Sequence, residues 1–186
     1  MPRSKDKTGC QPDGYRPGCA IRPQPGERLY YLGLGSNLGD RRAHLDRALS
    51  FLAGLGHLLK RSSIYETSPV GMPGSAPFLN MVATLATALE PLDLLRECQA
   101  CEAGQGRDLA DSRLRDRVID IDILLAGDMV MDTPELTLPH PRLAERGFVL
   151  VPLFEIAPKL LHPVEKVTVA RLLSRLKGGE RITRLD

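Results

Sequence analysis

The chain is predicted to be an α+β protein whose core runs strand, helix, strand, strand, helix, strand. Two observations carry that prediction. Segments with strand-like apolar patterns are separated by two segments whose apolar residues recur at helical spacing. Gly, Pro, Asn and Asp cluster between these segments, as turns require. No internal repeat competes with that reading. The order is that of the ferredoxin-like split βαβ arrangement (βαββαβ), an antiparallel sheet with helices on one face, here followed by a C-terminal extension. The first and last strands are expected side by side in the centre of the sheet. The face without helices is then open for a site.

Each element follows from its residues. Residues 1–28 are rich in Pro, Gly and charge and nearly devoid of aliphatic side chains, which predicts a disordered N-terminal tail. The strand at 29–35 opens the folded domain, 29–178. Residues 36–40 are turn chemistry, with Asp40 placed to cap a helix. Ala43, Leu45, Ala48, Leu49 and Leu52 make 41–54 an amphipathic helix, ended by Gly54 and Gly56. Residues 57–67 read as the second strand. Three prolines and two glycines make 68–78 a loop. Leu79, Met81, Ala83 and Leu85 alternate in a third strand, 79–89. Pro91 starts the second helix, where a first-turn proline is tolerated. A Gly-, Arg- and Asp-rich loop covers 104–116, and a strand over 117–125 follows. Beyond it come a short strand at 128–131, a Pro-rich stretch, an apolar run at 148–154, a terminal helix at 169–176 and a C-terminal tail, 179–186.

Composition narrows the function. The chain has 186 residues, 42% hydrophobic and 26% charged, which suits one globular domain. A net charge of +2 is too small to argue for a nucleic-acid or membrane surface. No apolar run spans a bilayer and no secretory h-region is present, so a cytoplasmic location is expected. Cys98 and Cys101 form a C-x-x-C late in a helical pattern, with Cys10 and Cys19 far off in the tail. That spacing predicts reduced structural thiols, not a zinc or redox site.

The chemistry concentrates around one strand. Side chains alternate along a strand, so Asp120 and Asp122 project together while Ile119, Ile121 and Ile123 line the opposite face. Two neighbouring carboxylates repel and call for positive compensation; a hard cation such as Mg²⁺ suits their oxygens. Arg107, Arg113, Arg115 and Arg117 precede the pair, and guanidinium groups grip phosphate oxygens. A polyphosphate held between arginines and metal follows. The plainer alternative is a solvated strand face and a patch of weak surface ion pairs. The P-loop and protein-kinase motifs are absent, and Gly33, Gly35 and Gly39 do not have dinucleotide-binding spacing.

The motifs G-S-N-L-G-D at 35–40, Y-E-T-S-P-V-G at 65–71, F-L-N at 78–80, D-I-D-I-L-L at 120–125, L-P-H-P-R-L at 138–143 and R-G-F-V-L-V-P-L-F-E-I-A-P at 146–158 occur in one order. Together they resemble the 6-hydroxymethyl-7,8-dihydropterin pyrophosphokinases, which move a diphosphate from ATP to a pterin alcohol. The resemblance implies that Asp120 and Asp122 bridge two Mg²⁺ ions. It implies that Phe78 and Phe148 sandwich the pterin, that Asn80 bonds its edge, and that Thr67 and Val70 line the same pocket. Glu102, Arg107, Arg117, Ile123, Thr137, His140 and Arg146 match positions that contact ATP in that family, and the resemblance implies that Arg107 and Arg117 are catalytic with the two aspartates. A monomer with no nucleic-acid or membrane partner is expected, the last two from the small net charge. Leu114-Arg115-Asp116 replaces the family's aromatic/Gly/Pro run before Arg117, and Glu135 stands where a basic residue is often seen, so altered ATP affinity is expected. No side chain stands out as general base; Asp122 and a water held at the metal are both open. A ligand- or RNA-binding module on the same fold is the rival class, although an RNP-like aromatic pattern is absent.

Overall fold

The computed structural model describes residues 23–69, 74–106, 116–177 and 180–186. It is a mixed α/β structure with four α-helices and an antiparallel sheet. In chain order the elements are β1 (Arg28–Ser36), α1 (Arg41–Ala53), β2 (His57–Arg61), β3 (Tyr65–Thr67), β4 (Phe78–Thr87), α2 (Pro91–Gly104) and β5 (Asp120–Ala126). Then come β6 (Met131–Asp132), β7 (Thr137–Leu138), a single 3₁₀ turn at Leu143–Glu145, α3 (Gly147–Ile156), α4 (Val169–Arg175) and β8 (Ile182–Arg184). The main sheet runs β5-β1-β4-β3-β8, with β2 also on β4, and β6 and β7 form a separate two-stranded sheet.

Local chemistry explains the helix starts. The Asp40 carboxylate accepts from the Ala43 N–H at 3.1 Å and opens α1. Gly39, at φ 61°, makes the preceding turn, a conformation that suits a residue without a Cβ. Pro91 starts α2. The Thr168 hydroxyl accepts from the Arg171 N–H at the start of α4.

Four expectations need correction. The first and last strands of the predicted unit, β1 and β5, are adjacent, but among the described strands β5 lies at the edge and β1 and β4 hold the centre. The single strand expected over 57–67 is two. Between Arg61↔Ala83 and Tyr65↔Asn80, it carries one residue more than β4. Ser62 absorbs the extra residue: its hydroxyl accepts from the Val82 N–H and donates to the Ser63 carbonyl, replacing ladder bonds. The expected C-terminal tail contributes β8, paired with β3. Finally, the face opposite α1 and α2 is not wholly free.

Two apolar clusters account for that last point. One joins Tyr30, Leu32 and Leu34 of β1 with Leu45, Leu49 and Leu52 of α1 and Leu94, Cys98 and Cys101 of α2. The other packs Tyr31, Val82 and Leu124 against Val149, Leu150 and Leu153 of α3 and Val169 and Leu172 of α4. A register shift of β5 between Tyr31 and Leu32 lets both Leu124 and Leu125 join the second cluster. The apolar run at 148–154 is therefore the interior of α3 and a lid on half of the second face; the site occupies the rest.

Cys98 and Cys101 are free and buried in the first cluster, as the spacing predicted. Burial pushes the Cys98 thiol up to about 12. A thiol-alkylating reagent is expected to spare Cys98 and Cys101 in the native protein and to label them after denaturation. Mass mapping of labelled cysteines checks this, and prompt native labelling of Cys98 would contradict the packing.

Candidate active site

Gly33 and Gly35 are the floor of the site. They stand opposite Asp122 and Asp120 in the β1–β5 register, and Gly35 also stands opposite Asn80 of β4. Paired residues present their side chains on the same face, so the two glycines leave a gap in the sheet between carboxylates and amide. A cavity of about 170 Å³ opens above it. It is lined by Gly33, Gly35, Thr67, Ser68, Phe78, Asn80, Arg117, Asp120, Asp122, Arg142, Arg146 and Phe148, with Leu34, Met81, Val82 and Val149 completing the wall.

Alternation along β4 brings Phe78 and Asn80 to the same cavity, as the sequence predicted. Asn80 is buried, and its amide donates to the Thr67 hydroxyl at 2.7 Å. Phe148 enters from the first turn of α3, with the Arg146 guanidinium 5.4 Å from its ring centroid, a cation–π distance. A polar amide thus stands beside two aromatic rings.

The charged part shares the same enclosure. Arg117 Nη1 lies 2.6 Å from Asp120 Oδ2, and Arg146 Nη1 lies 3.4 Å from Asp122 Oδ2. Arg117 is set by Asn37, whose side-chain oxygen accepts from the Arg117 N–H at 2.7 Å and whose amide donates to the Asp116 carboxylate at 2.6 Å. The turn at 36–40 therefore holds the segment that enters β5. Arginine supplies the compensation that two adjacent carboxylates demand. Burial lowers the Arg146 pKa and the nearby Asp122 opposes that shift. Among the described residues that line the cavity, three guanidinium groups stand against two carboxylates, a balance that favours an anionic ligand.

A divalent cation fits these donors. Asp120 and Asp122 present hard carboxylate oxygens to one cavity, with side chains 23% and 36% exposed. Among the described residues no group of three or more His, Cys, Asp and Glu could hold a metal. Such a donor set suits Mg²⁺, which takes one or two carboxylates and completes its shell with phosphate oxygens and water.

Other expected residues stand off the cavity wall. Glu102 is buried on α2, where its carboxylate accepts from the Ile121 N–H at 2.7 Å and ties the helix to β5 between the aspartates. Ile123 belongs to the first apolar cluster, on the side away from the aspartates. The Thr137 hydroxyl donates to Asp132. His140 donates its backbone N–H to the Leu124 carbonyl, and its Nδ1 accepts from the Arg142 N–H at 3.2 Å. Val70 and Arg107 lie outside the described residues, as do Leu114 and Arg115 of the atypical loop. The sequence reading missed Gly33, Gly35, Ser68 and Arg142 as lining residues. The glycines had a signal: a Gly-x-Gly within a strand puts two side-chain gaps on one face.

Burial, and then the charges of Arg146 and Arg142, lower the His140 pKa from 6.5 to about 4. The folded pKa lies below the unfolded one, so this contribution to stability is complete above pH 6.5. It is lost as pH falls toward about 4, because the unfolded chain binds the proton more readily. Denaturant unfolding across that window is expected to show falling stability, and His140→Gln to flatten the fall. An unchanged slope in the variant would assign the pH dependence to other groups.

An amide and two aromatic rings beside arginines and paired carboxylates have the chemistry suited to an enzyme that handles phosphate and a flat polar heterocycle. Residues 31–158 match the family model described as 7,8-dihydro-6-hydroxymethylpterin-pyrophosphokinase. The chain belongs to this family, the pterin pyrophosphokinases of folate biosynthesis. It is 46% identical over 139 residues to the 2-amino-4-hydroxy-6-hydroxymethyldihydropteridine pyrophosphokinase of Porphyromonas gingivalis, covering 73% of this chain and 94% of that protein. Against the Bacillus subtilis enzyme of the same description, identity is 43% over 134 residues, 71% of this chain and 80% of that one. Among solved structures, a Plasmodium falciparum HPPK-DHPS wild type with pterin and p-hydroxybenzoate superposes with a TM-score of 0.65 at 17% identity, covering 80% of this chain and 43% of that chain. The chain thus spans less than half of that longer protein, and the likeness speaks for the fold. No helix among the described residues is long and apolar enough to cross a membrane.

Proposed function

We propose that the protein transfers diphosphate from ATP to 6-hydroxymethyl-7,8-dihydropterin by in-line attack of the hydroxymethyl oxygen on the β-phosphorus, releasing AMP. One observation carries the reading. The residues suited to a flat ring (Phe78, Asn80, Phe148) and those suited to phosphates (Arg117, Asp120, Asp122, Arg146) line a single cavity. A reaction that joins a ring alcohol to a polyphosphate needs that continuity, because positioning and charge stabilisation do most of the work.

In this reading Phe78 and Phe148 sandwich the pterin, Phe148 using the ring face away from Arg146. Asn80 bonds the ring edge, held in orientation by Thr67, and Val70 completes the pocket. Arg107, Arg117 and Arg146 grip phosphate oxygens, and Glu102, Ile123, Thr137 and His140 shape the nucleotide end. Asp120 and Asp122 hold two Mg²⁺ ions, which when bound neutralise charge on the transferring group and the leaving nucleotide. The segments around 68–78 and 104–116 exclude water that would compete as nucleophile. We read the sheet as the ferredoxin-like split βαβ arrangement, with β2 and β3 together as its second strand, and the active form as a monomer.

Calorimetry with a non-hydrolysable ATP analogue, with and without the pterin, tests binding; chromatography of the turnover mixture tests the reaction. Both ligands are expected to bind, and AMP to form only when both substrates and Mg²⁺ are present. Formation of ADP would move the attack to the γ-phosphorus, and binding of neither ligand would sink the reading.

A further inference from the structure

We propose that the C-terminal segment is a positioning element of the ring slot, and that Glu180 is the positioning residue that sets Phe148; this rests on the ring-binding role proposed above. The segment lies beyond the 31–158 match to the family, yet its residues meet both walls of the slot. On one wall, Glu180 Oε2 accepts from the Phe148 N–H at 2.8 Å. On the other, Arg181 and Ser68 are bonded twice: the Ser68 N–H donates to the Arg181 carbonyl at 3.1 Å, and the Arg181 N–H donates to the Ser68 hydroxyl at 3.2 Å. Ser68 and Phe148 both line the cavity. Two consecutive residues therefore bridge the end of β3 and the start of α3.

The rest of the segment makes the bridge firm. Thr67, Glu66 and Tyr65 pair with Ile182, Thr183 and Arg184. The Leu185 N–H donates to the Ile64 carbonyl, and the Asp186 carboxylate accepts from the Ile64 N–H at 2.7 Å. Arg184 reaches Glu155 of α3 at 3.5 Å. The local sequence of α3 has a matching need. Its N-cap, Arg146, makes no side-chain capping bond, so a first-turn N–H needs a partner from elsewhere. A carboxylate there satisfies the donor and suits the positive end of the helix. Gly147 makes room: a Cβ at that position would lie 2.7 Å from Glu180 Oε2. Because the bonded N–H belongs to Phe148 itself, the contact fixes the backbone from which the ring projects. A slot held open in its binding geometry loses less freedom when the ring enters.

The test compares Glu180→Ala and Glu180→Gln in the full chain by two readouts: hydrogen exchange at the Phe148 amide without substrate, and steady-state KM for each substrate. In Glu180→Ala the amide is expected to lose protection and the pterin KM to rise about fivefold, the scale of a lost helix cap. The nucleotide KM and kcat stay near their original values. Glu180→Gln keeps an acceptor oxygen and restores most of both readouts. Faster amide exchange with an unchanged pterin KM would overturn the inference, as would unchanged exchange. Parallel rises in both KM values with a lowered melting temperature would also overturn it, since that is general loosening. If the unmodified protein turns over ATP and pterin normally, any of these failures belongs to Glu180 alone. If it binds no pterin at all, the ring-binding role falls first and this inference with it.

Discussion

Replacing Asp120 by alanine is expected to lower turnover on the order of 10³-fold or more while leaving the fold intact. Asp120 is one of the two carboxylates among the described residues that line the cavity, and Arg117 lies 2.6 Å from it. Removing it withdraws a hard oxygen ligand, while Arg142 and Arg146 still line the cavity and can attract a substrate phosphate. Weak nucleotide binding is thus expected to survive while transfer fails. Asp120→Asn separates charge from shape, since it retains an oxygen without its negative charge. Steady-state AMP release over a Mg²⁺ titration, with melting temperature as the fold control, measures both variants. Mg²⁺-dependent transfer persisting near the original rate in Asp120→Ala would refute the metal assignment.

Gly35→Ala is expected to raise the pterin KM on the order of 10- to 100-fold, the scale of a misplaced binding group. The added Cβ would lie 2.8 Å from Asn80 Oδ1, closer than such atoms approach. Asn80 is buried and tied to Thr67, so relieving the clash turns the amide that the proposal assigns to the ring edge. For a methyl group at Gly33 the three nearest atoms all belong to the Leu124 side chain, at 3.4 to 3.6 Å, and its partner on β4 is Val82, not Asn80. Gly33→Ala is therefore expected to have the smaller effect on pterin. Binding of the pterin measured by calorimetry distinguishes the two, and equal affinity in Gly35→Ala and the unmodified protein would mean that Asn80 does not hold the ring.

Much of the chemistry was legible along the chain because it depends on local periodicity. The alternation of Asp120 and Asp122 against Ile121 and Ile123 needs only the two-residue period of a strand, and the structure keeps the two sets on opposite faces. The same period put Phe78 with Asn80. The cap at Asp40 and the start at Pro91 are also local, each set by side-chain or ring chemistry within a few residues. What depends on the partner strand was not legible. Gly33 and Gly35 signal two missing side chains on one face, but only the pairing with β4 and β5 puts that gap between Asn80 and the two aspartates.

Tertiary structure alone decided the order of the sheet and the closing of its second face. An apolar run such as 148–154 is compatible with a buried strand or helix, and only packing against Tyr31, Val82 and Leu124 makes it α3. Residues 179–186 are expected as a tail, but backbone hydrogen bonds to β3 depend little on side-chain type, so composition gives no warning of β8. The sequence by itself determined which residues could bind phosphate, metal and ring, since those are properties of side chains and their spacing. Long-range strand pairing and helix docking decided that Phe78, Asn80, Arg117, Asp120, Asp122, Arg146 and Phe148 share one cavity, and that Glu180, 32 positions from Phe148, holds its backbone.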